Sequence, residues 1–150
     1  MTLSTRTARR AAQTTLSVRV LPGDMDLSAC VQPSRYLRHF EIARIAFLRE
    51  WSEEASGWDT SVVAAVGFRV LQRIDCDARV DVTCSLQWVR RASVSFRYQV
   101  QQEHALMCEG HTDHCVVDQR GWPSRMLDVR RKRLEQLLAE HSDVLDPSPT

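Results

Sequence analysis

Two acids separated by a single residue stand shortly before a long amphipathic segment. Asp24 and Asp26 lie in a short polar stretch that runs to Pro33, where the helical pattern begins. A carboxylate beside a helix N-terminus lies next to unpaired backbone N–H groups and the positive end of the helix dipole. Such an arrangement can activate a water molecule and stabilise a developing oxyanion. Residues 24–49 therefore carry most of the functional signal in this chain.

A long helix must position these acids. From Tyr36 to Trp51 the apolar residues recur mainly at intervals of three and four, which predicts a helix with a wide buried stripe. The pattern ends before Gly57. A helix of about 18 residues is about 27 Å long at ~1.5 Å per residue, enough to cross a small sheet. Pro33 suits the first helical position, where its missing N–H costs little.

The remaining segments have the composition of strands and one further helix. Residues 15–21 alternate between apolar and polar like a half-buried strand. Four further strands are predicted at 61–74, 77–91, 92–102 and 104–118. Short turns between these four predict an antiparallel meander, and the pattern predicts a final helix at 125–141. One face of such a sheet can cover the long helix, and its long edge strands invite pairing with a second copy.

Length and composition fit one domain and exclude several classes of protein. We expect a flexible leader at 1–14, a single domain at 15–142 and a disordered tail at 143–150 of the 150 residues. The formal net charge of +1 gives no bulk attraction to nucleic acid, and no apolar run could span a membrane. The odd number of five cysteines without a C-x-x-C pair favours reduced thiols in a cytoplasm.

The residues around the two acids resemble the hotdog-fold thioesterases of the 4-hydroxybenzoyl-CoA thioesterase type. The resemblance covers about residues 15–127. The matching residues keep the family's spacing without a gap: Asp24-Met25-Asp26, Tyr36, and Phe40-Glu41-Ile42-Ala43-Arg44. The resemblance implies an α+β hotdog fold, in which an antiparallel sheet is wrapped around one long central helix. It also implies a homodimer or homotetramer with thioester substrates at the subunit interface.

The resemblance also implies roles for individual residues. Asp26 matches the family's catalytic carboxylate, acting as nucleophile or as general base on water. Arg44 falls on the position of an arginine that assists catalysis in the related enediyne-pathway branch, and Glu41 and Tyr36 lie on the motif as well. The implied activity is hydrolysis of an acyl-CoA or acyl-carrier-protein thioester. Coenzyme A or phosphopantetheine is then part of the substrate, and neither a metal nor another cofactor is expected.

Three departures from the family pattern keep other reactions open. Ala29 stands where the family usually has glycine, and Gln32 stands where asparagine is common. Pro33 occupies the position whose backbone N–H contacts the thioester oxygen in the family, and proline has no N–H. Ser34 N–H or Arg44 takes over this contact, or hydrolysis is slow, or the chemistry differs. The alternatives are a polyketide-tailoring cyclase or dehydratase-like enzyme, which Pro33 and the replacement of histidine by Cys30 suggest, and a non-catalytic module that binds acyl thioesters.

The candidate catalytic residues also have structural interpretations. Asp26 can cap the helix or form an Asx turn, and Asp24 is expected to bond loop N–H groups. Glu41 and Arg44 are three residues apart, so they can form an ion pair of small worth on the helix surface. Tyr36 can be a core aromatic residue.

The predicted substrate contacts lie on several segments. Cys30, where many relatives have histidine, is more readily a small buried residue than a nucleophile. Arg90 and Arg91, with Ser93 close by, could bind a phosphate of the carrier or form a solvated turn. The further predicted contacts are Gln32, Phe40 and Phe68. Other aromatic residues could line a pocket or fill the core: Phe47, Trp51, Trp58 and Trp88.

Two other clusters are candidates for binding. The basic run Arg130–Arg133 is either the exposed face of the last helix or a docking patch for an acidic acyl carrier protein. The histidines and cysteines between His104 and Cys115 divide between both faces of a strand, so no three ligands converge. We therefore predict no metal site.

Overall fold

The structure, a computed structural model, describes residues 12–52 and 61–145, and only the backbone of residues 141–145. The strands are β1 (Gln13–Arg19), β2 (Ser61–Val70), β3 (Arg79–Val89), β4 (Ser93–Gln102) and β5 (Ala105–Val116). The helices are α1 (Pro33–Trp51) and α2 (Asp128–Leu145), and a short 3-10 turn (Pro22–Asp24) precedes α1. Residues 1–11, residues 146–150 and Trp58 lie outside the described residues, so their predicted roles stay predictions.

The strands form one antiparallel sheet in the order β1-β3-β4-β5-β2. The predicted meander holds for β3, β4 and β5 but was wrong for β2, which pairs with β5 at the far edge. The reason lies in the connection between β2 and β3, which is not a tight hairpin turn. Asp77 N–H donates to Val20 O, and Val20 N–H donates to Ala78 O, so the connection is bound to the end of β1.

Helix α1 packs against one face of this sheet and supplies the centre of the core. Phe40, Ala43 and Phe47 are fully buried. The ring of Phe40 stacks on Tyr98 with centroids 4.5 Å apart, and Phe47 meets Phe96 edge-on at 6.0 Å. The predicted fold class, a sheet wrapped around one long helix, is confirmed. Because full burial of a large apolar side chain contributes about 1.5–3 kcal/mol, this stripe holds the helix in a fixed position over the sheet.

Helix α2 packs near β3 and the C-terminal end of α1. Leu134 and Leu137 are buried, and Arg133 Nε donates to Trp51 O at 3.3 Å. The helix continues to Leu145, so residues 143–145 are helical although the sequence pattern assigned them to a tail. Similarly, β1 begins at Gln13, two residues before the predicted start of the domain.

The edge strand β2 carries the most exposed apolar surface of the sheet. Val62, Val63, Val66 and Val70 are each 48–52% exposed. An unpaired edge of this kind presents free backbone groups to a further strand. Among the described helices, none has the length and apolar character needed to cross a membrane.

Candidate active site

The loop before α1 holds the Asp26 carboxylate by one of its two oxygens. Oδ1 accepts the N–H groups of Ser28 at 2.8 Å and Cys30 at 3.0 Å, and Asp26 N–H donates to Cys30 O at 2.7 Å. Among the described residues, nothing donates to Oδ2, and the side chain is exposed. The Asx-type turn foreseen for Asp26 is therefore present. It nevertheless leaves one carboxylate oxygen available to a substrate or a water molecule.

Ala29 adopts a left-handed conformation at the tip of this loop, with φ of 55°. The family pattern has glycine at this position, and glycine adopts positive φ without steric cost. Alanine adopts this conformation at a cost of about 1–2 kcal/mol.

Asp24 and Gln32 brace the base of the loop. Asp24 Oδ2 accepts Leu21 N–H at 2.9 Å, and Oδ1 lies 3.4 Å from Arg35 Nε. The prediction that Asp24 bonds loop N–H groups is confirmed. Gln32 N–H donates to Asp24 O, and its side-chain amide donates to Met25 O at 2.8 Å. In this structure Gln32 therefore holds the loop, and its predicted substrate contact stays a prediction.

The start of α1 offers one free backbone donor. Pro33 is the first helical residue, and Arg35 N–H already donates to Gln32 O at 2.9 Å. Within the described part of the chain, Ser34 N–H has no acceptor. Ser34 is exposed and lines a cavity, so its N–H is the donor that could replace the one that proline lacks.

A cavity of about 480 Å³ lies between α1 and the inner faces of β2, β4 and β5. It brings together three of the predicted site residues, Ser34, Glu41 and Arg44, but not Asp26 or Tyr36. The lining residues, which come from both layers, are Ser34, Arg35, Leu37, Arg38, Glu41, Arg44, Val63, Val66, Tyr98 and Thr112. Its size is within the range of small-molecule sites.

Arg44 reaches across this cavity to β5. Its Nη1 lies 2.7 Å from Nε2 and 3.0 Å from Nδ1 of His114. His114 Nε2 is 2.9 Å from Thr112 Oγ1, which is 2.6 Å from the Tyr98 hydroxyl. A neutral ring satisfies both neighbours if Nδ1 accepts from Arg44 and Nε2–H donates to Thr112.

His114 is held in its neutral form. Burial, and secondly the Arg44 charge, lower the pKa of His114 from 6.5 to about 4. The side chain is only 2% exposed. Arg44 is thus bound by a neutral ring, and not by Glu41 as the helical spacing suggested. No ion pair of Glu41 or Arg44 occurs among the described residues.

His114, Thr112 and Tyr98 were not predicted as site residues. The sequence pattern offers His114 only as a candidate metal ligand. The alternation of β5 does place residues 112 and 114 on one face. Contact with Arg44, 70 residues away, depends on which strand lies beside α1, and the sequence pattern does not give that order.

The predicted aromatic contacts lie in or next to the core. Tyr36 is 3% exposed, its ring is 5.7 Å from that of Phe68, and burial raises the pKa of its hydroxyl to about 12. Phe40 is fully buried, whereas Phe68 is half-buried and meets Phe40 at 6.3 Å. Cys30 is half-buried, with Sγ 3.6 Å from Ser28 O. The predicted roles of these residues stay predictions.

The predicted phosphate-binding arginines lie at the β3–β4 turn and outside the lining of the cavity. Arg90 and Arg91 are exposed, and the Arg90 guanidinium lies 4.3 Å over the Trp88 ring. Arg91 O accepts Met126 N–H at 2.9 Å, and Ser93, the first residue of β4, is half-buried. In the region that the structure describes, no group of three metal-ligating side chains is found.

The class of protein follows from comparison with known families. Residues 20–140 match the thioesterase-like superfamily, and the chain belongs to this family. The match confirms the resemblance seen around Asp26 and, with it, the predicted class of enzyme, a thioester hydrolase. No curated protein sequence gives a significant match.

Solved structures share the fold at low sequence identity. DHNA-CoA thioesterase from Staphylococcus aureus is 15% identical, with a TM-score of 0.78 over 88% of this chain and 95% of that chain. A thioesterase from Thermus thermophilus, complexed with coenzyme A and Zn, is 22% identical, with a TM-score of 0.74 over 83% and 93%. A hypothetical protein from Aquifex aeolicus is 24% identical, with a TM-score of 0.73 over 81% and 98%. These likenesses show the fold.

Proposed function

We propose that this protein hydrolyses an acyl thioester at the N-terminal end of α1. The observation that carries the proposal is the free Ser34 N–H, which lines the cavity at the start of the helix that follows the Asp26 loop. Ser34 N–H then holds the oxyanion that forms from the thioester carbonyl. The positive end of the helix dipole acts on the same charge.

Asp26 acts on the carbonyl carbon through its unengaged Oδ2. As a general base it takes a proton from the attacking water and returns it to the departing thiolate. As a nucleophile it forms an anhydride, which a water molecule then hydrolyses. In both routes the products are a carboxylic acid and a free thiol. The contacts of Oδ1 with Ser28 and Cys30 keep the carboxylate oriented during this step.

A second copy of the chain completes the site in this proposal. Val63 and Val66 line the cavity but are 52% and 48% exposed, so the cavity is open along the β2 edge. Pairing of two β2 edges in a homodimer would cover this opening and extend the sheet. A tetramer built from two such dimers is compatible with the same edge pairing.

Coenzyme A is the carrier that the surface supports best. Arg90 and Arg91 are exposed at the β3–β4 turn and suit phosphate groups. Within the run Arg130–Arg133, Arg131 pairs with Asp128 at 3.3 Å, and Arg133 donates to Trp51 O. Fewer free charges are therefore available on α2 for an acyl carrier protein than its sequence suggested. The free state of all five cysteines is consistent with the proposed cytoplasmic location.

Replacement of Ser34 by proline tests the oxyanion contact. Ser34→Pro removes the N–H at the second helical position, where it is not part of the helical ladder, but it also disfavours the helical conformation of Pro33, so circular dichroism must show that α1 is retained. We expect thiol release from an acyl-CoA panel by the wild-type protein and a fall in kcat of about 10²–10³-fold in Ser34→Pro. Ser34→Ala, which keeps the N–H, is the matched control and should retain most activity.

The outcomes of this experiment separate the alternatives. Equal kcat for Ser34→Pro and Ser34→Ala, with both variants folded by circular dichroism, would contradict the assigned oxyanion contact. Tight binding of acyl-CoA without thiol release by the wild-type protein would favour a non-catalytic binding module. Mass spectrometry of a tethered polyketide would reveal the loss of water or ring closure expected of a tailoring enzyme.

A further inference from the structure

The cavity contains the positive charge of Arg44, with which no described residue forms an ion pair. Arg44 is half-buried, and its contacts are the neutral ring of His114 and, through it, the hydroxyl groups of Thr112 and Tyr98. In the described residues no carboxylate lies within ion-pair distance of Arg44. A partly buried guanidinium without a counter-ion is energetically unfavourable unless an anion visits the site.

The geometry of the arginine leaves part of its donor set available. His114 contacts only Nη1, and no described residue binds Nη2 or Nε, so these two groups can form the paired contact that arginine makes with a carboxylate. The hydrogen bonds that link His114, Thr112 and Tyr98 hold the guanidinium on the β5 side of the cavity. A held arginine loses less side-chain entropy on binding than a free one.

The other residues that line the cavity are compatible with a short anionic ligand. Arg38 adds a second positive charge, whereas Glu41 is the one carboxylate among the described lining residues, and Arg35 is paired with Asp24 outside the lining. The apolar part of the lining comes from Leu37, Val63, Val66 and the ring of Tyr98. Such a surface suits the methylene groups between two polar ends of a ligand.

The spacing along α1 sets the length of the ligand. Ser34 and Arg44 line the same cavity and are about 15 Å apart along the axis at ~1.5 Å per residue. The Arg44 guanidinium is held beside His114 on β5, so the ligand must span most of this separation. Two hydrogen bonds of about 2.9 Å, one at each end, leave roughly 9 Å between the terminal oxygens of the ligand, which suits an acyl chain of about five to seven carbons.

We infer that the cavity takes an acyl group that ends in a second carboxylate, bound by Arg44, so that the substrates are thioesters of short dicarboxylic acids. This assignment rests on the proposed function, because the thioester end is placed at Ser34. His114 acts as a positioning residue for the guanidinium. Glu41 also lines the cavity. Its negative charge repels a ligand carboxylate that lies beside it and not at Arg44.

Binding of two non-hydrolysable thioethers tests the inference independently of turnover. 4-Carboxybutyl-CoA and pentyl-CoA have the same chain length and differ only in the terminal carboxylate. By calorimetry we expect the carboxylate analogue to bind the wild-type protein at least ~10-fold more tightly, since hydrogen bonds to charged groups are the stronger kind. Equal affinities, a preference for pentyl-CoA, or no measurable binding of either compound would overturn the inference.

Substitutions on α1 test which residue binds the terminal carboxylate of the ligand. Arg44→Met, which keeps an unbranched apolar stem and removes the guanidinium, should reduce the affinity ratio to less than about threefold. Arg49→Met is the matched control, because Arg49 is exposed on the same helix and does not line the cavity. It should retain the wild-type ratio. An unchanged ratio in folded Arg44→Met would assign the carboxylate to another residue and overturn the proposal.

Turnover distinguishes this inference from the proposed function. Glutaryl-CoA and valeryl-CoA are the hydrolysable counterparts of the two thioethers. If the protein releases no thiol from glutaryl-CoA or valeryl-CoA, the proposed hydrolysis is contradicted. The ratio of the affinities for the two thioethers would still show whether the cavity prefers a terminal carboxylate. Hydrolysis of valeryl-CoA with equal or greater kcat/KM than glutaryl-CoA would overturn the ligand class while preserving the enzyme class.

Discussion

The side chain of His114 is buried and carries no charge at neutral pH, although Arg44 lies against it. The charge of Arg44 and the loss of solvent both disfavour the imidazolium. Protonation of His114 in the folded protein would place two positive groups within hydrogen-bond distance. The neutral ring is therefore a condition for the position of Arg44 in the cavity.

Stability should fall in acid because of His114. Its pKa is about 4 in the folded protein and 6.5 in the unfolded chain, so the unfolded chain binds the extra proton between these values. The stabilising contribution is complete above pH 6.5 and is lost as the pH falls toward 4, up to about 3 kcal/mol at 1.36 kcal/mol per pKa unit. Urea unfolding at about pH 7.5 and about pH 4.5 measures this loss.

The variant His114→Phe separates this effect from the titration of carboxyl groups. Phenylalanine has no titratable group, so the free energy of unfolding of the variant should depend less on pH over the same interval. The difference between the two proteins isolates the contribution of His114. Parallel pH profiles for wild type and variant would show that the ring is not held neutral by its surroundings.

Single residues were predictable where a short motif specified them. The Asp24–Arg44 segment gave the loop acids, the helix start and the missing N–H of Pro33, because all of these follow from local spacing. The partner of Arg44 was not predictable. The spacing allowed an ion pair with Glu41, three residues away, but the Arg44 side chain reaches over the cavity to His114 instead.

Helix α1 and strands β2 and β5 meet at Gly110. A Cβ atom built there would lie 2.6 Å from Phe40 Cε2, 2.8 Å from Gly67 O and 2.9 Å from Phe68 Cβ. Glycine is therefore required for the close approach of the helix to this pair of strands. The contact fixes the height of α1 above β2, and with it the width of the cavity.

Gly110→Ala should destabilise the protein by about 1–3 kcal/mol, because the backbone and the Phe40 ring must shift. Gly23→Ala is the control, since a Cβ at Gly23 meets nothing within 4 Å, and its effect should stay within about 0.5 kcal/mol. Urea unfolding at neutral pH measures both. Equal stabilities of the two variants would show that α1 does not pack closely on β2.

The elements were predictable to a greater extent than their arrangement. Apolar spacing gave α1 and every strand with boundaries wrong by a few residues, since each pattern is local. The position of β2 was not predictable in this way. Its neighbour in sequence is β3, yet Phe68 lies opposite Gly110 of β5, and the order depends on contacts that span the whole chain.

The whole molecule has one edge that invites association. β2 exposes valines on both faces at the side where the cavity is open, whereas β1 at the other edge alternates polar and apolar residues. Exposed apolar edge strands of this kind occur where another chain covers them. The proposed homodimer would bury this edge and close both cavities.

Lysine at the edge should weaken the dimer. Val62 and Val70 lie outside the cavity lining, so Val62→Lys with Val70→Lys places charges on the edge without changing the site directly. We expect the wild-type protein to sediment as a dimer or tetramer and the double variant to dissociate at least ~10-fold more readily. Ser17→Lys, on exposed β1, is the control. A monomeric wild-type protein would contradict the proposed assembly.

Asp26→Asn tests the central claim most directly, because it removes the charge while its amide oxygen can still accept the N–H groups of Ser28 and Cys30. Thiol release is measured for wild type, Asp26→Asn and the neighbouring control Asp24→Asn at saturating acyl-CoA. We predict a fall in kcat of about 10²–10⁴-fold for Asp26→Asn and of less than about tenfold for Asp24→Asn. A folded Asp26→Asn protein that turns over at the wild-type rate would contradict the account.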